Sequence, residues 1–369
     1  MRKIELHYQL SQERDRAARI RNPLMDTLSA VRTSGSISGA ARQLGLSYRH
    51  VWGQLKDWEQ SLGQELIVWG RGQAAQLTPF ADKLIWTERL AQARLGPKIE
   101  TLRAELERTL ALAFDPEAHV LSLFASHDEA LPLLQDHAAE SGLHLDIQFC
   151  GSVEALRALN EGRCVLAGFH TREQPPPDSL AAATYRPLLQ PGLHKLIGFA
   201  RRTQGLMVAK GNPLRIDSLA RAVRWKARYV NRPVGTGTRV LLEELLQQDG
   251  LALQDLNGHG RCEPSHAAVA QAIAAGTADT GLGTEAAARA MGLDFVPLVT
   301  ESYHLACLKS ALEQPAMRAL REHLATPAWQ ALVSGLPGYA PECSGEVRSL
   351  RSLLPWWHYR QTRHPSSGA

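Results

Sequence analysis

The stretch from Ser34 to Leu62, SGSISGAARQLGLSYRHVWGQLKDWEQSL, decides how the first third of the chain folds. Gly45 divides it. Before the glycine, Ala40, Ala41 and Leu44 recur at helical spacing and predict a short helix over Ser38 to Leu44, whose small residues let another helix come close. After it, Ser47 is placed to cap a helix from Tyr48 to Leu62 by accepting a hydrogen bond from a free N–H of the first turn. Val51, Leu55, Trp58 and Leu62 repeat at threes and fours and are expected to face inward. Upstream, Pro23 suits a first helical turn, and Leu24, Leu28 and Val31 carry a further helix that Ser34-Gly35 stops. Downstream, Glu65 to Trp69, the turn Gly70-Arg71-Gly72-Gln73 and Gln76 to Pro79 read as strand, turn and strand, a small wing.

Two helices joined by a tight glycine turn have the form of a helix-turn-helix, in which the start of the second helix meets base edges in the major groove. On that reading Ser36, Ser47, Tyr48, Arg49, His50, Trp52, Gly53 and Lys56 are the candidate DNA-contacting residues, and Arg71 reaches a phosphate or the minor groove from the wing. Charge points the same way. Residues 1–113 hold 17 Lys+Arg against 12 Asp+Glu, whereas the remainder holds 24 against 25. A basic excess confined to the N-terminal third favours a polyanion partner.

The run SGSISGAARQLGLSYRHVWGQLKDWEQSLGQELIVWG, with the closing LTPFADKLI, resembles the winged helix-turn-helix domain of the molybdate-responsive ModE-like and LysR-type regulators. The resemblance implies a transcription factor that binds a double-stranded DNA operator, with residues 1–78 as its DNA-binding domain. Residues 79–114 then read as a linker helix in which Leu95, Ile99, Leu102, Leu106 and Leu110 repeat at threes and fours, a seam for a homodimer or tetramer. Gly96-Pro97 is expected to kink or restart that helix. Two copies on a two-fold axis imply a partly palindromic operator.

Beyond Asp115-Pro116 short apolar strands alternate with helices, the texture of a parallel α/β sheet. His119–Ala125, His144–Cys150 and Val165–His170 form one set of expected strands; Arg228–Asn231, Thr280–Leu282 and Phe295–Val299 form another. Leu196–Lys210 and Ser302–Leu308 are candidate crossings between them. The expected fold class is therefore α/β, with an all-α winged-helix N-terminal domain and a C-terminal two-lobed domain over residues 115–346. A tail, 347–369, carries Trp356 and Trp357.

Polar residues gather where the strands open into helices, the place for a ligand in such a cleft. Ser126, His127 and Asp128 follow the first strand, Ser152 follows the second, and His170 ends the third. In the other lobe Asn231 and Arg232 precede Gly235-Thr236-Gly237-Thr238-Arg239, and Ser265-His266 start another helix. A glycine-threonine loop at a helix N-terminus presents N–H groups, hydroxyls and the positive end of the dipole, which suits an anion. RYVNRPVGTGTRVLLEELL and SHAAVAQAIAAGTADTGLGTEAAARAMGLDFVPL are similar to the periplasmic-binding-protein type II-like domain appended to ModE-like regulators and to some molybdopterin-biosynthesis proteins. That similarity implies molybdate, tungstate or the molybdenum cofactor as effector. The paired oxyanion domains that end ModE are absent, so a small carboxylate such as formate stays open.

The remaining expectations are exclusions. There is no Walker loop, nucleophile elbow or HExxH, so an α/β enzyme acting on an anion is the lesser alternative. His127, Asp128, His170 and His266 lack metal-ligand spacing, and no covalently bound cofactor or metal is expected. Five cysteines include no CxxC pair. With 44% hydrophobic and 21% charged residues, a charged start and no long apolar run, the chain reads as globular, cytoplasmic and free of membrane.

Overall fold

The computed structural model describes residues 22–68, 75–114 and 119–357. They fall into two compact units that divide between Gly96 and Pro97.

In the first unit α1 (Pro23–Ser34), α2 (Ile37–Leu44) and α3 (Tyr48–Leu62) are each started by a side-chain cap and stopped by a left-handed glycine, Gly35, Gly45 or Gly63. Leu24, Leu28, Val31, Ile37, Ala40, Ala41, Val51 and Leu55 close one core with Ile85. The expected inward position of Trp58 is corrected: it is 39% exposed. The interior is filled by Val51 and Leu55, and Leu62 packs only at the margin. Strands β1 (Ile67–Val68) and β2 (Gln76–Leu77) pair antiparallel, as the wing requires. The tip carrying Arg71 lies outside the described residues.

Helix α4 (Pro79–Phe114) runs 36 residues with Pro97 inside it, so the helix does not restart at Gly96-Pro97. A proline removes one i→i−4 bond there. Leu102, Leu106 and Leu110, one helical turn apart, are exposed.

The second unit is built on one eight-stranded sheet. Its strands are β3 (His119–Ala125), β4 (Leu143–Phe149), β5 (Leu166–Arg172), β6 (His194–Val208), β7 (Thr280–Thr284), β8 (Asp294–Leu308), β9 (Tyr339–Pro341) and β10 (Val347–Ser349). The order is β10-β6-β8-β5-β3-β4, with β7 and β9 also on β6. Only β3 pairs in parallel, with β4 and β5; every other pairing is antiparallel. The expectation of a parallel sheet is thus corrected to a mixed one. Phe295–Val299 and Ser302–Leu308 are one 15-residue strand. Arg228–Asn231 makes only isolated bridges, Tyr229 to Thr280 and Asn231 to Cys262.

The two long strands β6 and β8 pair along their whole length and pass from one lobe to the other, as the two crossings require. At one end they carry β5, β3 and β4, flanked by α5 (Ala130–Ala139), α6 (Ser152–Asn160) and α7 (Leu180–Tyr185). At the other they carry β7, between α8 (Leu219–Arg224) with α9 (Gly237–Gln248) and α10 (His266–Ala274) with α11 (Glu285–Ala290). Helices α12 (Pro315–Leu324) and α13 (Pro327–Ser334) return to the first lobe, where Met317, Leu320 and Trp329 are fully buried. No helix among the described residues is long and apolar enough to cross a membrane.

Candidate functional site

The α3 surface is set by its cap. Ser47 Oγ accepts from His50 N at 3.2 Å, and Ser36 Oγ accepts from Gly39 N at 3.0 Å, so both serines begin helices. Tyr48, Arg49, His50, Trp52 and Lys56 are exposed on α3, with Tyr48 at 51% and Trp52 at 42%. Lys56 Nζ stands 5.9 Å from the Trp52 ring centre and 2.6 Å from Glu59 Oε2. The other Glu59 oxygen accepts from Leu66 N and Ile67 N at 2.9 and 3.3 Å, tying α3 to the first wing strand. Burial raises the Glu59 carboxyl, but these bonds and Lys56 outweigh it and the net shift is downward. Glu59 was missed because its sequence position reads as an ordinary solvated helix face.

In the second unit the structure brings several of the residues expected at the cleft together. Ser126 Oγ and Ser152 Oγ lie 3.4 Å apart. The Gly235–Thr238 loop of the other lobe packs directly on them: Val153 N donates to Gly235 O at 3.2 Å. A Cβ on Gly237 would stand 3.3 Å from Ser152 Oγ and 3.4 Å from His170 Nδ1. Gly235 takes φ +86°, a conformation that favours glycine. Thr238 Oγ1 accepts from Gln204 Nε2 at 3.1 Å and lies 3.4 Å from His266 Nε2. Beside this loop an open cavity of about 490 Å³ has Arg157 and Arg239 in its walls.

Several expected ligands are spent on the fold. Thr236 caps α9, and its hydroxyl donates to Pro233 O at 2.8 Å. Ser265 caps α10. Arg239 pairs with Glu243. Asn231 bonds Arg232 N and His259 O. Asp128 is fully buried, accepts from Ala130 N and from Tyr339 OH at 2.8 Å each, and pairs with Arg202. Arg202 Nε in turn reaches Glu301 Oε2 at 3.1 Å. Arg202 and Glu301 face each other in register on β6 and β8, midway along the crossings. Glu129 spans the lobes, accepting from Tyr339 OH at 2.9 Å and Thr284 Oγ1 at 3.3 Å. His127 Nε2 lies 3.1 Å from Glu100 Oε2 of α4.

Others are buried without a partner. Among the described residues, neither ring nitrogen of His170, nor Nδ1 of His127 or His266, nor Nε of Arg232 has a hydrogen bond. Burial first, then the Arg202 and Arg232 charges, push His170 and His266 well below the ordinary imidazole range. Burial lowers Arg232 to about 10 against the pull of Glu129. His170 also lies on the Tyr303 ring, centroids 3.9 Å apart. Buried donors of this kind, around a loop at the start of α9, can hold a group rich in acceptor oxygens. Among the described residues no three His, Cys, Asp or Glu side chains are arranged to hold a metal ion.

Comparison with known proteins adds two family matches. The bacterial regulatory helix-turn-helix protein profile of the lysR family matches residues 24–82, and the PBP superfamily domain matches residues 135–325, more than half of the chain. YvgK of Bacillus subtilis (strain 168) is 29% identical over 234 residues, 63% of this chain and 75% of its own. A Clostridium pasteurianum protein from the 5′ region of a 2Fe-2S ferredoxin gene is 29% identical over 109 residues, 29% of this chain and 96% of its own. Full-length BenM, solved as a point mutant, aligns with a TM-score of 0.44 at 15% identity over 86% of this chain and 98% of that one.

Proposed function

The chain belongs to the PBP superfamily through its C-terminal domain and carries the helix-turn-helix of the bacterial lysR family, and from that premise we propose that it senses a small anion between its two lobes. It is a LysR-type DNA-binding transcriptional regulator with an effector-binding domain, not an enzyme. The finer reading concerns assembly and effector. The exposed leucines of α4 form the seam of a homodimer, which sets two α3 helices on a partly palindromic operator. Molybdate, tungstate or the molybdenum cofactor is the effector, and its oxygens accept from Arg232 Nε and the His170 and His266 rings.

One observation carries this: those donors are buried and unpartnered beside the Gly235–Thr238 loop. A buried donor left unsatisfied costs about 1–3 kcal/mol, so a ligand that satisfies several gains that much for each. The effector acts by preferring one lobe arrangement over the other, since equal affinity for both would shift nothing. Formate is the second reading, favoured by the same Arg232 guanidinium, which bonds a carboxylate as readily as an oxyanion.

The test is thermal stability of the full chain with molybdate, tungstate or formate, wild type beside Arg232→Gln. Saturation at roughly 100 times the dissociation constant adds about 2.7 kcal/mol. A shift with molybdate or tungstate that Arg232→Gln abolishes supports the oxyanion; a shift with formate alone supports the carboxylate. No shift with any of them, or an equal shift in the variant, removes the site as described.

A further inference from the structure

Gly53 sits inside α3, where a glycine weakens a helix, and nothing among the described residues requires it there. A Cβ at Gly53 would meet nothing within 4 Å, and its φ is not in the left-handed region. Gly39 in α2 is the contrast: its Cβ would fall 2.6 Å from Ser34 Cβ, so packing alone explains it. At 100° per residue, Gly53 points opposite the mean direction of Val51 and Leu55, the two α3 residues in the core. It therefore lies at the centre of the face turned away from the core, itself half-buried between more exposed neighbours. Its neighbours one turn away and alongside are Arg49, His50, Trp52, Lys56 and Asp57, all exposed. Trp52 is a large apolar side chain held outward, with the Lys56 cation over its ring.

We propose that Gly53 is the point at which the α3 backbone comes closest to the floor of the major groove, and that Trp52 beside it reads thymine through the C5-methyl group. The inference rests on the DNA-binding reading and adds where the helix touches and what it reads there. Missing Cβ atoms serve close approach, and the thymine methyl is the apolar feature of the groove that an indole edge can contact. The flanking Arg49 and Lys56 supply the charge that draws the ridge onto the duplex.

The experiment selects duplexes from a random pool with the full-length wild type, then measures affinity for the enriched duplex at fixed salt. Gly53→Ala is expected to bind about tenfold more weakly and Gly53→Leu more weakly still, while the melting temperature of Gly53→Ala equals or exceeds that of wild type. Replacing individual thymines by uracil is expected to weaken wild type about fivefold or more at one or two positions, and Trp52→Ala is expected to be indifferent to that change. Wild-type affinity in Gly53→Ala, a lowered melting temperature, or uracil tolerated at every position overturns the proposal. A wild type that enriches no sequence overturns the DNA-binding reading itself, and this proposal with it.

Discussion

Acidification from about pH 7.5 to about pH 5.5 should destabilise the effector-binding domain through three histidines. His170, His266 and His304 are buried and held below the ordinary imidazole range, His304 to about 4 by burial alone. In the unfolded chain each titrates near 6.5; folded, each stays neutral through this interval. The unfolded state therefore binds more protons, and stability falls as pH falls through 6.5. Each histidine forfeits about 1.4 kcal/mol over these two units, so the three together forfeit about 4 kcal/mol. His127 acts in the opposite sense, because its bond to Glu100 outweighs burial and raises it. Glu244 and Glu301, raised by burial, also oppose the loss. The sharp quantity is the difference between wild type and His170→Gln or His266→Gln, which removes one histidine at a time. Urea unfolding at several pH values, followed by the fluorescence of the buried Trp329 and Trp356, should give pH slopes shallower than wild type by about 1.4 kcal/mol over the interval. Variants that keep the wild-type slope would refute the reasoning. Oxyanion binding against the same rings should take up protons, which calorimetry in buffers of different ionisation enthalpy reads directly.

Two further outcomes are expected. Glu100→Gln removes the charged partner of His127, whose raised pKa stabilises the fold fully below 6.5 and loses that contribution as pH rises through the raised value. The variant should thus lose about 1–3 kcal/mol near pH 5.5 and little near pH 8.5 by the same unfolding assay, and an equal loss at both contradicts the pairing. Asp128→Ala leaves Arg202 buried with Glu301 as its remaining carboxylate, at a cost of about 3–5 kcal/mol in unfolding free energy. A loss below about 1 kcal/mol would mean that the ion cluster at the crossings is not what holds them.

What could be read in advance was what is local. Helix α3 announces itself through Ser47, Val51, Leu55 and Gly63, because cap, buried stripe and stop lie within a few turns of one another. The long strand β6 was legible as a crossing because Leu196–Lys210 lies between the two sets of expected strands. Strand direction was not, since side-chain alternation is the same in parallel and antiparallel pairs, and only the completed sheet sets β5 and β8 antiparallel. Trp58 was placed inward by period alone, yet the core was already filled by Val51 and Leu55. The Gly96-Pro97 pair reads as a kink or a restart; the helix does not restart there, and the two compact units divide at this pair.

The cleft was half legible for a related reason. Residues at strand ends, Ser126, Ser152, His170 and the Gly235–Thr238 loop, could be placed because strand-to-helix junctions are where side chains meet a ligand. Arg202, Gln204, Glu301 and Tyr339 could not, because they lie within or beside strands and are brought together across long stretches of chain. A signal was present: charged residues inside otherwise apolar runs of β6 and β8 are tolerated only if they find each other. Once Arg202 is satisfied by Asp128 and Glu301, it is not free to bond a ligand, and Asp128 is not free either. Among the described residues Arg232 Nε, His170 and His266 Nδ1 are then left without a partner, as is Tyr303 OH, and the sequence named the first three only as members of a longer set. His127 stands apart from these three. Its Nε2 meets Glu100 on α4, beside the bonds from Arg103 to Asp136 and Gln135 and from Phe149 N to Thr101 Oγ1, so the helix that carries the exposed leucines is tied to this domain at several points.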